Sequence, residues 1–534
     1  MTSPPIDIPA RSPLIPASLA AAASSMALAL ALASSSFAGL ADEIRTQVNR
    51  AALKDAALSV CVRDADTDRV LVAMDADRPM IPASNMKVFT SGAALHTLGP
   101  DFTFRTQAFV RRDVAKGIEG DRDAVIAVVG DGDPALADPE LLAKTTWTDS
   151  NGQVRLGMTA DDLVGLWVDA ARKAGIRSVK EVIVDDRVFA RELFHPSWPA
   201  DQSNQRSFAE VAGLNFQTNL LQFLPRPGNG PRPDLSDIRP RAPWISIENK
   251  ATTRNGKPDK QSVWVVRDEE RNAYSVHGNV KFNVAEPIEI PLHDPPLFFA
   301  QLLADRLRGA GIPVAAARVA RNDDPVFAGP AGAAWGAPLG ATIQTPIAAV
   351  LERCNTDSQN LYAESLFKRA GRKASGRPGS WSTGAEAVRT ALAGRVHDAS
   401  LTKGVVVSDG SGLSRQNRVN ASLVTAWLDT FHRDTRLGSI FVDSLAVGGE
   451  SGTLRNRFGK LDRDVTVQCK TGYINGVSCL SGFVTTSDGR RRSFSVLGNN
   501  LIQPGAVAKA KKLQEAIVET IAEDMKERAA LGGG

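Results

Sequence analysis

Alternating apolar and polar positions mark residues 57–62 and 70–74 as two strands, and the turn-prone stretch Asp64-Ala65-Asp66-Thr67-Asp68 joins them as a hairpin. Beyond Pro82 the period changes. Met86, Phe89, Ala93 and Ala94 share one face of a helix over 82–95, and Ser84 stands at its start. The long middle region mixes both periods, with strand-like runs at 124–129, 182–184 and 263–266 and helical ones at 159–174 and 296–310. A Pro/Gly cluster at 225–233 is a loop, and loop-rich 322–338 closes the region. From Gln344 the pattern is helical through Ala370. Further strands are expected at 405–407, 465–467 and 494–497, and a last helix over 506–529.

At 534 residues the chain is long enough for about three domains. A composition of 43% hydrophobic and 23% charged residues is that of a soluble globular protein. A net charge of only +4 gives no basis for nucleic-acid binding, and Lys509, Lys511 and Lys512 read as the solvated face of the last helix. Near the N-terminus, Arg11 precedes an Ala/Leu-rich run over 19–33, and small residues precede both Ala38 and Ala41. That is the layout of a secretory signal peptide, assigned to 1–41. The run is short for a membrane span and no later segment resembles one, so the mature chain is expected to be exported, periplasmic and without an integral membrane segment. Four cysteines are too few for a disulfide scaffold, and no Cys-x-x-Cys or His-Glu-x-x-His spacing calls for a metal. Cys469 and Cys479 could face each other across a hairpin centred on Asn475-Gly476, or remain buried thiols.

Acyl transfer by a serine needs a base and donors for the developing oxyanion. The six histidines lie in unrelated contexts and no Gly-x-Ser-x-Gly elbow occurs, so the base must be another group. A lysine can serve where its surroundings favour the neutral amine, and residues three apart share a helix face. Three Ser-x-x-Lys pairs qualify: Ser84/Lys87, Ser365/Lys368 and Ser400/Lys403. Ser84 opens a helix, where free backbone N–H groups favour an anion. Ser365 lies within a helix, and Lys368 reads as a solvated charge. Ser400 sits in a loop before a strand. Downstream, Ser358-Gln359-Asn360 is the sole Ser-x-Asn and Lys470-Thr471-Gly472 the sole Lys-Thr-Gly. The latter lies on a hairpin strand, where an exposed edge can pair with a peptide while the lysine meets its carboxylate.

Ser-x-x-Lys, Ser-x-Asn and Lys-Thr-Gly, in that order, are the signature of penicillin-binding proteins and serine β-lactamases. With residues 88–357 between the first two, the chain resembles the low-molecular-weight class C penicillin-binding D-alanyl-D-alanine carboxypeptidases/endopeptidases, which carry a large insertion there. Gly130-Asp131-Gly132-Asp133-Pro134, Val184-Asp185-Asp186, the Asp409 to Arg415 loop and Gly452-Thr453-Leu454 resemble that family's local patterns. The resemblance implies an α/β, β-lactamase/transpeptidase-like catalytic domain, an antiparallel sheet flanked by helices, with a two-domain β-rich insertion. The implied parts are 42–104 and 343–525 for the catalytic domain, 105–127 and 209–342 for the inserted domain, 128–208 for a nested small domain, and 526–534 for a disordered tail.

It further implies that Ser84 attacks, Lys87 takes its proton, Ser358 relays a proton to the leaving amine, and Asn360 positions the substrate amide and Lys87. Lys470 and Thr471 would hold the terminal carboxylate, Gly472 belongs to the same binding strand, and the backbone N–H groups of Ser84 and Tyr473 would receive the oxyanion. The Asp409 to Arg415 loop is read as structural. The implied partners are peptidoglycan stem peptides and inhibitory β-lactams, with no cofactor. Two rivals stand beside this reading: a β-lactamase, whose nearest deacylation candidate, Glu210 to Asn215, is one residue too long, and a non-catalytic wall-binding protein.

Overall fold

The computed structural model describes residues 39–112, 124–149, 152–253, 261–325 and 336–532. Apart from its last three residues, the expected signal peptide lies outside them. Six antiparallel strands form the main sheet, in the order Ala446–Val447, Val465–Ile474, Val477–Thr486, Arg491–Asn499, Ala57–Asp64, Val70–Met74. Alternation sends successive side chains to opposite faces. Val60, Val62, Leu480 and Val484 therefore pack under the helix over 39–50 and the helix Ala506–Gly532, with Leu40, Ile44, Ile517 and Ile521. Cys61, Cys479, Phe483 and Leu497 face the other way, into a larger core with Phe89, Leu366, Trp427 and Phe431. Those come from the helices Met86–Leu98, Asn360–Ser375 and Ala421–His432.

The same alternation decides the cysteine question. Cys469 pairs with Gly482 and Cys479 with Gly472, which puts the two thiols in different cores. All four cysteines are free and buried.

The insertion leaves and returns at one place, because its first and last strands, Thr103–Arg112 and Ala337–Pro346, pair from Thr103↔Pro346 onward. They belong to a five-stranded mixed sheet in the order Val314–Val319, Val179–Asp185, Ala124–Val129, Thr103–Arg112, Ala337–Pro346. The helices Ala160–Lys173 and Pro295–Gly309 cover one of its faces through Leu163, Trp167, Phe299 and Leu303. Residues 128–208 were expected to form a nested unit. Their strand Val179–Asp185 runs between Ala124–Val129 and Val314–Val319 and their Leu163 and Trp167 pack in the inserted core, while Trp198 and Phe208 pack in the larger core with Phe89. A two-stranded sheet lies within 128–208, Thr146–Thr148 with Val154–Leu156, and two three-stranded ones lie later, at Leu220–Phe223 with Ile238–Arg239 and Ile288–Pro291, and at Ser246–Asn249 with Ala273–Asn279 and Ser262–Arg267. The last helix also runs on to Gly532, through much of the expected tail, and Lys526 there pairs with Asp462.

Candidate active site

Ser84 lies in a single helical turn, Ala83–Asn85, that leads into Met86–Leu98. Ala83 takes a left-handed conformation (φ 46°), unusual for a residue with a side chain, and marks a place where packing overrides local preference. The packing comes from a loop and a strand. A Cβ on Gly412 would stand 1.8 Å from the Ala83 carbonyl, and one on Gly472 would stand 2.7 Å from that of Pro82. Only glycine lets both segments approach the serine turn. From the sheet, Ser481 Oγ accepts a 2.6 Å hydrogen bond from Asn85 Nδ2.

One helical turn on, Lys87 is fully buried. Its Nζ donates to Ser84 Oγ at 3.1 Å, Asn360 Oδ1 at 2.6 Å and the Ser411 carbonyl at 2.8 Å. Burial lowers its pKa to about 8, against the opposing influence of Cys354, Glu364 and Asp409. Asn360 opens the helix Asn360–Ser375, and its Nδ2 donates to the Ser207 carbonyl at 2.9 Å, so the insertion reaches the site. Just before it, Ser358 is held at φ 62° and accepts from Lys470 Nζ at 2.8 Å. Lys470 is also fully buried, and its pKa falls to about 7 through burial first and the neighbouring Lys87 charge second.

The strand that carries Lys470 is paired on its outer side only at Gln468 and Cys469, by Ala446–Val447. Among the described residues no further strand covers 470–474 there, which leaves an open strand edge beside the serine turn. Thr471 Oγ1 donates to Thr453 Oγ1 at 3.0 Å, Gly472 is buried against the serine turn, and the Tyr473 ring is 58% exposed with Lys511 Nζ 5.5 Å from its centre. The three motifs thus converge on one half-buried hydroxyl.

Sequence reasoning passed over the Asp409 to Arg415 loop as a contributor, yet its Ser411 carbonyl is one of the three groups on Lys87 Nζ. Buried Glu364 shapes it, accepting from the backbone N–H of Ser411 at 2.7 Å and of Gly410 at 3.0 Å, and from Trp381 Nε1 at 2.9 Å. Asp409 folds the loop from within by accepting from Gly412 N, Ser414 N and Trp198 Nε1. Lys368, expected in solvent, is buried too. Its ammonium lies 3.6 Å from the centre of the Trp381 ring and donates to the Glu192 carbonyl. Ser365 instead accepts from Asn215 Nδ2. Ser400 and Lys403 are both exposed. Glu210, from the near-match to a deacylation motif, is taken up by His293 and the Asp294 N–H within the insertion.

The sequence profile of the D-Ala-D-Ala carboxypeptidase 3 (S13) family matches residues 40–523. A D-alanyl-D-alanine carboxypeptidase from an Actinomadura species is 30% identical over 498 residues, which span 91% of this chain and 84% of that protein. The D-alanyl-D-alanine carboxypeptidase DacB of Haemophilus influenzae is 22% identical over 443 residues, 81% of this chain and 83% of its own. The crystal structure of penicillin binding protein 4 (dacB) from Haemophilus influenzae shares the fold, with a TM-score of 0.67 at 20% identity over 88% of this chain and 97% of that one.

Proposed function

The chain belongs to the D-Ala-D-Ala carboxypeptidase 3 (S13) family and is a serine-type hydrolase; on that premise we propose how its residues remove the terminal D-alanine of peptidoglycan stem peptides. The observation that carries the reading is the buried Lys87 amine bridging Ser84 Oγ and Asn360 Oδ1. With a pKa of about 8, roughly a tenth of Lys87 is neutral at pH 7, against well under a thousandth for an ordinary lysine. The neutral amine takes the Ser84 proton as Oγ attacks the carbonyl carbon of the penultimate residue. The oxyanion falls to the backbone N–H groups of Ser84 and Tyr473. Ser358 passes a proton to the departing D-alanine amine, and its Oγ is held for this by Lys470. Water then cleaves the acyl-Ser84 ester.

Neither Lys87 nor Lys470 has a carboxylate partner in an ion pair among the described residues. The arriving substrate carboxylate supplies the counter-charge for Lys470, with Thr471 at the strand edge beside it. An amide between two stem peptides presents the same carbonyl chemistry, so cross-link hydrolysis falls within reach of this site. We further propose that the enzyme is exported to the periplasm. Leu40 is 2% exposed and packed in the core beneath the main sheet, which favours cleavage after Ala38 over cleavage after Ala41. Among the described residues no helix is long and apolar enough to cross a membrane.

Brief exposure to penicillin followed by mass spectrometry tests the assignment. The expected result is a lasting adduct on the peptide containing Ser84, together with D-alanine release from pentapeptide muropeptides. A rapidly vanishing adduct would move the assignment to a β-lactamase, and no adduct with no release would sink it.

A further inference from the structure

The helices Ala160–Lys173 and Pro295–Gly309 cover only one face of the inserted five-stranded sheet. On the opposite face Phe109, Val125, Ala127 and Ile183 form a small buried apolar cluster. Between that face and the C-terminal half of the helix Asn360–Ser375 lies a cavity of about 920 Å³, well apart from Ser84. Strand alternation turns Arg105, Gln107 and Phe109 toward it, and the helix contributes Arg369, Arg372 and Lys373.

The charges do not cancel. Asp131 is paired with Arg369 at 2.9 Å and Asp185 with Arg187 at 2.7 Å, so both carboxylates lining the cavity are already matched. The Arg105 backbone N–H donates to Asp131 while its guanidinium forms no ion pair or side-chain hydrogen bond, and Lys373 likewise has neither among the described residues. Arg372 is engaged by one guanidinium nitrogen, to the Gly376 carbonyl. Three cationic heads therefore rim a wide groove whose walls also carry Phe109, Val129, Val188 and Pro338. Such a rim selects an anion, and this cavity has room for one as large as a short peptide.

The groove also has a fixed relation to the reaction site. Asn360, on Lys87, and Arg372, at the groove, stand on one helix about 18 Å apart along its axis. An extended five-residue stem reaches about 17 Å and has one end committed at Ser84. A single fully extended stem held at Ser84 is thus used up in reaching the groove and does not lie along it. We propose that this groove is a second binding site for the wall polymer, holding the carboxylates of a neighbouring stem peptide while another stem occupies Ser84. The proposal rests on the peptidoglycan reading above. It makes Arg105, Arg372 and Lys373 determinants of polymer over monomer as substrate.

The test is the double variant Arg105→Glu/Lys373→Glu, assayed for D-alanine release from intact sacculi and from a soluble monomeric pentapeptide. Both residues are exposed and remote from Ser84. On sacculi the expected loss in kcat/KM is about tenfold, shrinking as salt is raised, with the monomer rate unchanged. Equal losses on both substrates, or none on sacculi, would overturn the proposal. Sacculi stripped of phosphate-bearing polymers by hydrofluoric acid form a further arm. A loss that persists there supports stem carboxylates, and one that disappears assigns the groove to phosphate and overturns the carboxylate claim. If wild-type enzyme releases no D-alanine from the monomer, the functional reading itself has failed, a result distinct from failure of the groove.

Discussion

Two Ser-x-x-Lys pairs are buried in this molecule, and both lysines have depressed pKa values, about 8 for Lys87 and about 7 for Lys368. In each case burial is the largest cause. At Ser84 the hydroxyl is half-buried, its lysine donates to it, and an open strand edge runs alongside. At Ser365 the hydroxyl is fully buried within a helix and engaged by Asn215, and the lysine turns away to Trp381 and the Glu192 carbonyl. A lysine near neutrality is thus a product of burial alone. It becomes a base only where a nucleophile touches it and a substrate can reach that nucleophile. The largest expected contrast follows: Ser84→Ala lowers D-alanine release by at least about 10⁴-fold and abolishes the penicillin adduct, whereas Ser365→Ala stays within about twofold. Equal losses would erase the distinction.

The pH responses separate the pairs next. In the proposed mechanism acylation needs neutral Lys87 and carboxylate binding needs charged Lys470, so kcat/KM rises about tenfold per pH unit below about 7, is flat between about 7 and 8, and falls above about 8. Lys368 acts on stability instead. Its folded pKa of about 7 lies below the ordinary 10.5, so the unfolded chain binds more protons across that window and stability climbs with pH from about 7 to 10.5. Lys368→Met flattens that climb in thermal melts and leaves the pH–rate curve in place. A rate curve displaced by Lys368→Met would mean that the two lysines are not independent.

Glu364 stands between the pairs. It holds the loop whose Ser411 carbonyl meets Lys87, and it shares Trp381 with Lys368. Its own pKa is pushed up to about 7, by burial first and Asp409 second. Glu364→Gln keeps the shape but turns an amide N–H₂ toward backbone donors that both carboxylate oxygens now satisfy. The expected effect is a fall in kcat of about thirtyfold, roughly 2 kcal/mol, with KM nearly unchanged and the pH–rate midpoint displaced. A melting shift with normal kinetics would reduce Glu364 to a packing residue.

The three motifs were legible because each rests on side chains at fixed local spacing, in a chain order that chance does not readily produce. The alternation over 57–74 and in the later strands carried the main sheet in the same way. What stayed hidden depends on contacts between distant segments. The Ser411 and Ser207 carbonyls that orient Lys87 and Asn360 are backbone groups with no side-chain signature. Lys368 looked solvated because its helix pattern does not reveal that Trp381 and the insertion close over it. The neighbours of Val179–Asp185 were hidden as well, because parallel pairing joins strands far apart in sequence and this strand takes them from Ala124–Val129 and Val314–Val319.

The third pair sets the baseline for the comparison. Ser400 and Lys403 match the same four-residue pattern, but both are exposed, and Ser400 Oγ donates to Asp398 Oδ1 at 2.6 Å in a local turn. With no enclosing walls there is no place for a substrate to be held beside this pair. Ser400→Ala removes one solvent-facing hydrogen bond, so the expected melting shift is under about 1 °C, with no change in adduct formation or D-alanine release. A measurable loss of activity there would show that pattern alone carries function in this chain, and the contrast between the buried pairs would lose its meaning.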